Sequence, residues 1–440
     1  MARRLGVVAG AIGVLAIALA VLAPLRPTSG DTVAARLGGL ALRCGGGWDM
    51  STVDWVHDMR VKHEMTYYQQ FDERGQYSSI FGPAPALVMA IALADYGPGA
   101  TIADAALRAR ERDAAACLVA LAAALLAIAC ATRGGTGIAA AAGACAMCSF
   151  AGAATLGQGL WQATVALPVL VAALAALAWE ARRPALALVA PAAIALAVML
   201  RPTIAPLALG LAAAWALRRR TRRTWIVAGA IALAACAPLV AWNAIHLWSP
   251  LPIGQLAGNS RLTDDVFTPG RAATGLLGLL VSPARGVAWF APIAIAGVAL
   301  GLRRRGAARW IAGGAVLQLV AMAVFFKWHG GLAFGPRLLA ETTWVAIWLA
   351  ADAWPDLARR GRIALAVLAA WTAIVGLCGL WRFHPEQWEM RRLPDTHAGA
   401  LWDVADSPLP ALFSTPSVAP MHDSPPVAFE RCMDGTIETR

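Results

Sequence analysis

The chain has 440 residues, of which 59% are hydrophobic and only 14% charged, and its mean hydropathy is +0.60. Soluble domains carry about 25% charged residues, so these few charges cannot screen this much apolar surface from water. Disorder, a fibrous repeat and a disulfide scaffold are excluded by the same balance. The net charge of +11 does not point to nucleic acid. The cations come in short arginine blocks between apolar runs, the orientation signal of cytoplasmic loops, and the only lysines are Lys62 and Lys327.

Residues 1–25 carry Arg3 and Arg4 and then a long apolar run without a clear small-x-small cleavage site. This reads as a retained first transmembrane helix with its N-terminus inside. Residues 26–80 are unlike a membrane segment. They hold Asp31, Asp49, Asp54, Asp58, Glu64, Asp72 and Glu73, with His57, His63, Tyr67 and Tyr68. This is an external loop with an acidic cluster, and 49–64 has weak helical periodicity suited to a membrane surface. The apolar run 82–97 is short and carries Pro83 and Pro85, which predicts a re-entrant or partly inserted segment.

Within 81–381, apolar runs follow at 113–132, 137–154, 159–179, 186–200, 203–217, 225–247, 273–302, 309–326, 338–354 and 363–381. Placing Arg182-Arg183, the 218–223 cluster, the 303–309 cluster and the 358–362 cluster inside gives a consistent alternation. The loop 26–80, the neighbourhood of 201, 248–272, 328–337 and the tail then lie outside. The fold class is an all-α polytopic membrane protein with about eleven to thirteen spans. The tail 382–440 is Pro-rich and predicts little core.

Of the 8 cysteines, six lie in apolar runs, where Cys packs as a small hydrophobe. Cys44 and Cys432 fall in the predicted external segments, where a disulfide between them is open.

The acidic cluster follows the first helix, while isolated cations sit at the outer ends of later helices: Arg201, Arg285, Lys327 and Arg337. Charges at membrane depth are expensive and usually functional. Cations suit an anionic head group such as a phosphate, and a carboxylate suits proton abstraction from a hydroxyl. That chemistry fits transfer of a sugar from a lipid phosphate, because the departing phosphate develops charge that cations stabilise.

Several short motifs run in order through residues 30–337. They are Gly30-Asp31-Thr32-Val33-Ala34-Ala35-Arg36, Phe71-Asp72-Glu73-Arg74-Gly75 leading to Gly82-Pro83-Ala84-Pro85, and Leu160-Trp161-Gln162. Further on come Leu200-Arg201-Pro202-Thr203, Ser282-Pro283-Ala284-Arg285-Gly286, and Trp328-His329-Gly330-Gly331 with Phe334-Gly335-Pro336-Arg337. Together they resemble the bacterial GT-C membrane glycosyltransferases, relatives of protein O-mannosyltransferases and aminoarabinose transferases. Ala163 stands where that group has His, and Ala84 interrupts its usual Pro pair.

The resemblance implies a GT-C-like bundle with a large first external loop in a bacterial cytoplasmic membrane. It implies an inverting glycosyltransferase that moves a sugar from a polyprenyl-phosphate donor to a glycan, lipid or protein acceptor of the cell envelope. It places the catalytic base at Asp31, with a second acidic position at Asp49 or Asp54. It places donor contacts at Arg285, Arg337 and Arg201, with Arg36, Lys327 and His329 as further substrate-binding candidates. No cofactor is certain, and a divalent metal is left open because relatives differ. Plainer readings stand beside these: Asp31 as a helix cap, Asp49 and Asp54 as a solvated helix face, and the arginines as anchors to lipid head groups. A transporter or flippase, or an inactive scaffold, are the competing functions.

Overall fold

The computed structural model describes residues 2–25, 30–61, 69–71, 75–218, 221–252, 254, 266–331, 333–383, 388, 397–413 and 429–431. The motif residues 72–74, together with Lys62, His63, Glu64, Tyr67, Tyr68 and Cys432, lie outside this set.

Helix α1 (Ala2–Leu22) packs along α5 (Asp104–Cys148). The sequence predicts a break between two apolar runs near residue 135, and α5 has it. Gly135 takes φ 71°, ψ −175°, a conformation in which L residues are strained and glycine is not. The chain then folds back on itself. A Cβ built on Gly143 lies 3.1 Å from the Ala123 carbonyl and 3.3 Å from Ala127 Cβ, so the legs are antiparallel and in contact.

The bundle continues with α6 (Gln162–Trp179), α7 (Leu186–Leu200), α8 (Ala205–Ala216) and α9 (Arg222–Leu247). It is completed by α10 (Ala272–Val281), α11 (Val287–Phe290), α12 (Pro292–Arg303), α13 (Ala307–Ala323), α14 (Ala340–Ala353) and α15 (Arg359–Arg382). By length and composition α5, α6, α9 and α15 are able to cross a membrane, and shorter apolar helices accompany them. The protein is a multi-pass helical membrane protein.

Small residues let these helices approach closely, as in membrane bundles generally. Helices α8 and α13 cross at Gly210 and Gly314, where a Cβ on Gly314 stands 2.8 Å from the Gly210 Cα. Gly314→Leu is expected to force the two helices apart. In detergent it should lower the aggregation midpoint by several degrees, whereas Gly313→Leu, which has open space at its Cβ, should not.

One end of the bundle is an ion cluster. Arg133 lies 2.9 Å from Asp356 and 3.6 Å from Asp352, and Arg304 lies at the same distances from the same two carboxylates. Arg218 pairs with Glu180 at 2.7 Å. The opposite end carries a second, separate core. There α2 (Gly30–Arg43), α3 (Asp54–Val61) and α4 (Ala84–Ala92) bury Leu37, Leu40, Met50, Val56, Tyr77, Met89 and Leu93. Strands β1 (Gln69–Phe71) and β2 (Tyr77–Ser79) form an antiparallel hairpin there, and β3 (Thr101–Ala103) pairs with β4 (Phe429–Arg431).

Helix α4 lies in the run predicted to be re-entrant. Its 9 residues rise only about 13.5 Å, too short to cross, and it packs against α2. This packing continues past residue 80 to Ile102 and Leu107. Cys44 is disulfide-bonded; β4 brings the backbone of Arg431, the neighbour of Cys432, to β3 at this end of the molecule.

Candidate active site

Four chain turns meet where the two cores adjoin. Asp31 stands in the first turn of α2, and Trp161 immediately precedes α6. Arg201 follows the last residue of α7 in extended conformation (φ −146°), because Pro202 disfavours helical geometry at the residue before it. Arg337 opens the turn that leads into α14. These residues line one cavity with Phe81, Gln162, Ala163, Thr203, Met322, Phe325 and Leu338.

The charges inside are paired. Arg337 Nη1 lies 2.9 Å from Asp31 Oδ2, and its guanidinium sits over the Trp161 ring, 5.7 Å from the centroid. Arg201 Nη1 lies 2.8 Å from Glu341 Oε1, with both side chains buried. Arg201 also donates from Nε to Thr203 Oγ1 at 3.0 Å. Burial lowers the Arg201 pKa below its usual value; the Glu341 carboxylate opposes this, Arg337 adds to it, and Asp31 opposes it. The four groups therefore act on one another electrostatically. The cavity they leave is about 40 Å³, room for a few waters, against the roughly 300–1,000 Å³ of ligand pockets.

The other sequence candidates go elsewhere. Arg285 is fully buried. Its Nε donates to the His329 carbonyl at 2.8 Å, Nη2 to the Gly331 carbonyl at 3.2 Å and Nη1 to the Ala284 carbonyl at 3.1 Å, while Trp388 lies against its face. It braces the loop that ends at Arg337 and does not line the cavity. Asp49 is buried in the outer core, its Oδ1 accepting the N–H of Ser51 at 3.0 Å and of Tyr77 at 3.1 Å. A carboxylate that caps a turn in this way is not poised over a substrate, and it is not on a solvated helix face either. Asp54 begins α3, away from the cavity lining. Arg36 pairs with Glu111 at 2.7 Å. Lys327 and His329 line a second cavity of about 590 Å³ with Arg271, Thr274, Trp328 and Trp402. So Asp31, Arg201 and Arg337 come together, and Asp49, Asp54, Arg36, Arg285, Lys327 and His329 do not join them.

Two acids escape the sequence reading. Glu341 stands inside the apolar run 338–354 and Glu111 just before 113–132. A lone acid at such a place is itself a signal of a buried partner. Among the described residues no group of three His, Cys, Asp or Glu stands together to hold a metal ion.

No family model matches the sequence, and no curated protein matches it. Solved structures do. ArnT from Cupriavidus metallidurans, bound to undecaprenyl phosphate, superposes with a TM-score of 0.51 at 14% identity, covering 85% of this chain and 62% of that one. The chain shares its fold with that structure. The Archaeoglobus fulgidus oligosaccharyltransferase in complex with zinc and sulfate aligns at 18% identity and a TM-score of 0.48, over 88% of this chain and 56% of that one. The AglB oligosaccharyltransferase of the same organism, with an inhibitory peptide and a dolichol-phosphate, aligns at 15% and 0.45, over 91% and 60%. The chain thus spans about three fifths of the length of each. In this fold the Asp31 cavity lies at the end of α7 opposite Arg182 and Arg183.

Proposed function

We propose that the protein is an inverting glycosyltransferase that takes a sugar from a polyprenyl-phosphate donor at the outer face of a bacterial cytoplasmic membrane and passes it to a cell-envelope acceptor. The observation that carries this reading is the Asp31–Arg337 pair in one cavity with Arg201, whose guanidinium is paired with the buried Glu341. Sidedness rests on the arginine-rich helix ends 182–183, 303–305 and 359–362 at the opposite end of the bundle.

The chemistry follows from the charges. The donor phosphodiester carries one negative charge and two free oxygens, so it can take the place of the Asp31 carboxylate on Arg337, and it gains a second charge as the sugar leaves. Its arrival releases Asp31 and opens the space between the two side chains for the sugar. The acceptor hydroxyl attacks the anomeric carbon on the face opposite the phosphate. Asp31 takes the hydroxyl proton as the new C–O bond forms. The bond from the anomeric carbon to the phosphate oxygen breaks, and the charge left on the phosphate is met by Arg337 and Arg201. Trp161 keeps the Arg337 guanidinium in its plane through a cation–π contact.

Binding tests the phosphate half of this reading. Purified protein in nanodiscs is expected to bind undecaprenyl phosphate at least about tenfold tighter than undecaprenol. Arg337→Met should remove that preference, because it keeps an unbranched apolar stem and deletes only the charged head. Equal affinity of the wild type for the two lipids would refute the phosphate role and favour a transporter of neutral lipid.

A further inference from the structure

The two walls of the Asp31 cavity come from segments far apart in the chain, and one buried carboxylate holds both. Glu111 lies in the early turns of α5 and is 1% exposed. Its Oε2 accepts from Arg36 Nη1 at 2.7 Å, and its Oε1 accepts the Leu160 backbone N–H at 2.8 Å. Arg36 stands on α2, five residues after Asp31. Leu160 immediately precedes Trp161, the ring beneath Arg337. The pair lies in the core that holds Leu37, Leu107, Ala115 and Leu160, with the Thr32 hydroxyl 3.5 Å from Arg36 Nη1 and the charge of Arg108 acting on Glu111. In such a place a hydrophobic pair of similar volume is often as stable as an ion pair or more so, so stability alone does not call for the charges.

We propose that Glu111 is a positioning residue: through Arg36 and Leu160 it fixes the distance between the Asp31 carboxylate and the Trp161–Arg337 wall. This rests on the reading of Asp31 as base. A base set about 1 Å out of place loses on the order of 10²-fold in rate, so the effect belongs to turnover rather than to donor binding.

The test uses full-length protein in nanodiscs, a panel of undecaprenyl-phosphate sugars with hexose, pentose and aminopentose heads as donors, a cell-envelope extract as the source of acceptor hydroxyls, and release of undecaprenyl phosphate as readout. Glu111→Gln keeps the volume and an acceptor but loses the charge. It is expected to lower kcat at least about tenfold while leaving KM for the donor within about threefold. The double variant Arg36→Met/Glu111→Met removes both charges. It is expected to keep the wild-type thermal midpoint within a few degrees and still turn over at least about tenfold more slowly. Wild-type kcat in either variant would overturn the proposal. Loss of the fold in the double variant would overturn it too, since the pair would then serve the fold itself. Asp31→Asn measured alongside separates the two claims: full turnover there sinks the base assignment, whereas an inactive Asp31→Asn with a fully active double Met variant sinks only the role of Glu111.

Discussion

Asp31→Asn is expected to lower sugar transfer by about 10²–10⁴-fold, the range that a positioned general base contributes. The amide is nearly isosteric with the carboxylate, so α2 and its packing on α4 should persist. What changes is proton affinity: an amide does not accept the acceptor's hydroxyl proton. The variant also loses the ionic contact to Arg337, which lies 2.9 Å from Asp31 Oδ2. Undecaprenyl phosphate, which competes with that contact, should therefore bind the variant at least as tightly as the wild type. A drop in turnover without a drop in lipid affinity is the pattern of a group that acts in the transition state only. Unchanged turnover would show that the proton leaves by another route.

Glu341→Ala is expected to be the most destabilising single change in the site. The carboxylate and its partner Arg201 are both buried, at 1% and 8% side-chain exposure. Removing one member of a buried pair leaves the other charge desolvated and costs about 3–5 kcal/mol. Arg201 would be left with Thr203, with the neighbouring Arg337, whose charge disfavours its own, and with Asp31, whose charge offsets that of Arg337 only in part. The thermal midpoint of purified Glu341→Ala should fall by several degrees, and Arg201→Met added to it should recover part of the loss. Recovery in the double variant marks the single variant's defect as an unpaired charge rather than lost packing.

The parts of the molecule that sequence pattern reaches are those governed by local rules. Apolar runs and arginine blocks bound most of the helices, and the gap between the runs 113–132 and 137–154 marks the reversal inside the 45-residue α5, whereas the single run 273–302 divides into α10, α11 and α12. Asp31, Arg201 and Arg337 are identifiable because each follows or precedes a helix within a short motif. Arg285 has the same kind of local setting, yet its guanidinium turns to the carbonyls of His329 and Gly331, 44 and 46 residues away. Nothing near position 285 distinguishes those two outcomes. Asp49 fails for a similar reason, since its second partner, the Tyr77 N–H, is 28 residues on. Glu111 and Glu341 are the reverse case. Each carries a clear local anomaly, an acid in or beside an apolar run, but the role of the acid is set by Arg36 and Arg201, which only the fold brings near.

On this mechanism the Asp31–Arg337 contact gives way to a lipid phosphate. A structure of the wild-type protein in nanodiscs with undecaprenyl phosphate tests it directly. Phosphate density is expected within hydrogen-bond reach of Arg337 and Arg201, with the Asp31 carboxylate separated from Arg337. Phosphate seated instead beside Arg271 and Lys327 in the second cavity, with Asp31 and Arg337 still in contact, would contradict it.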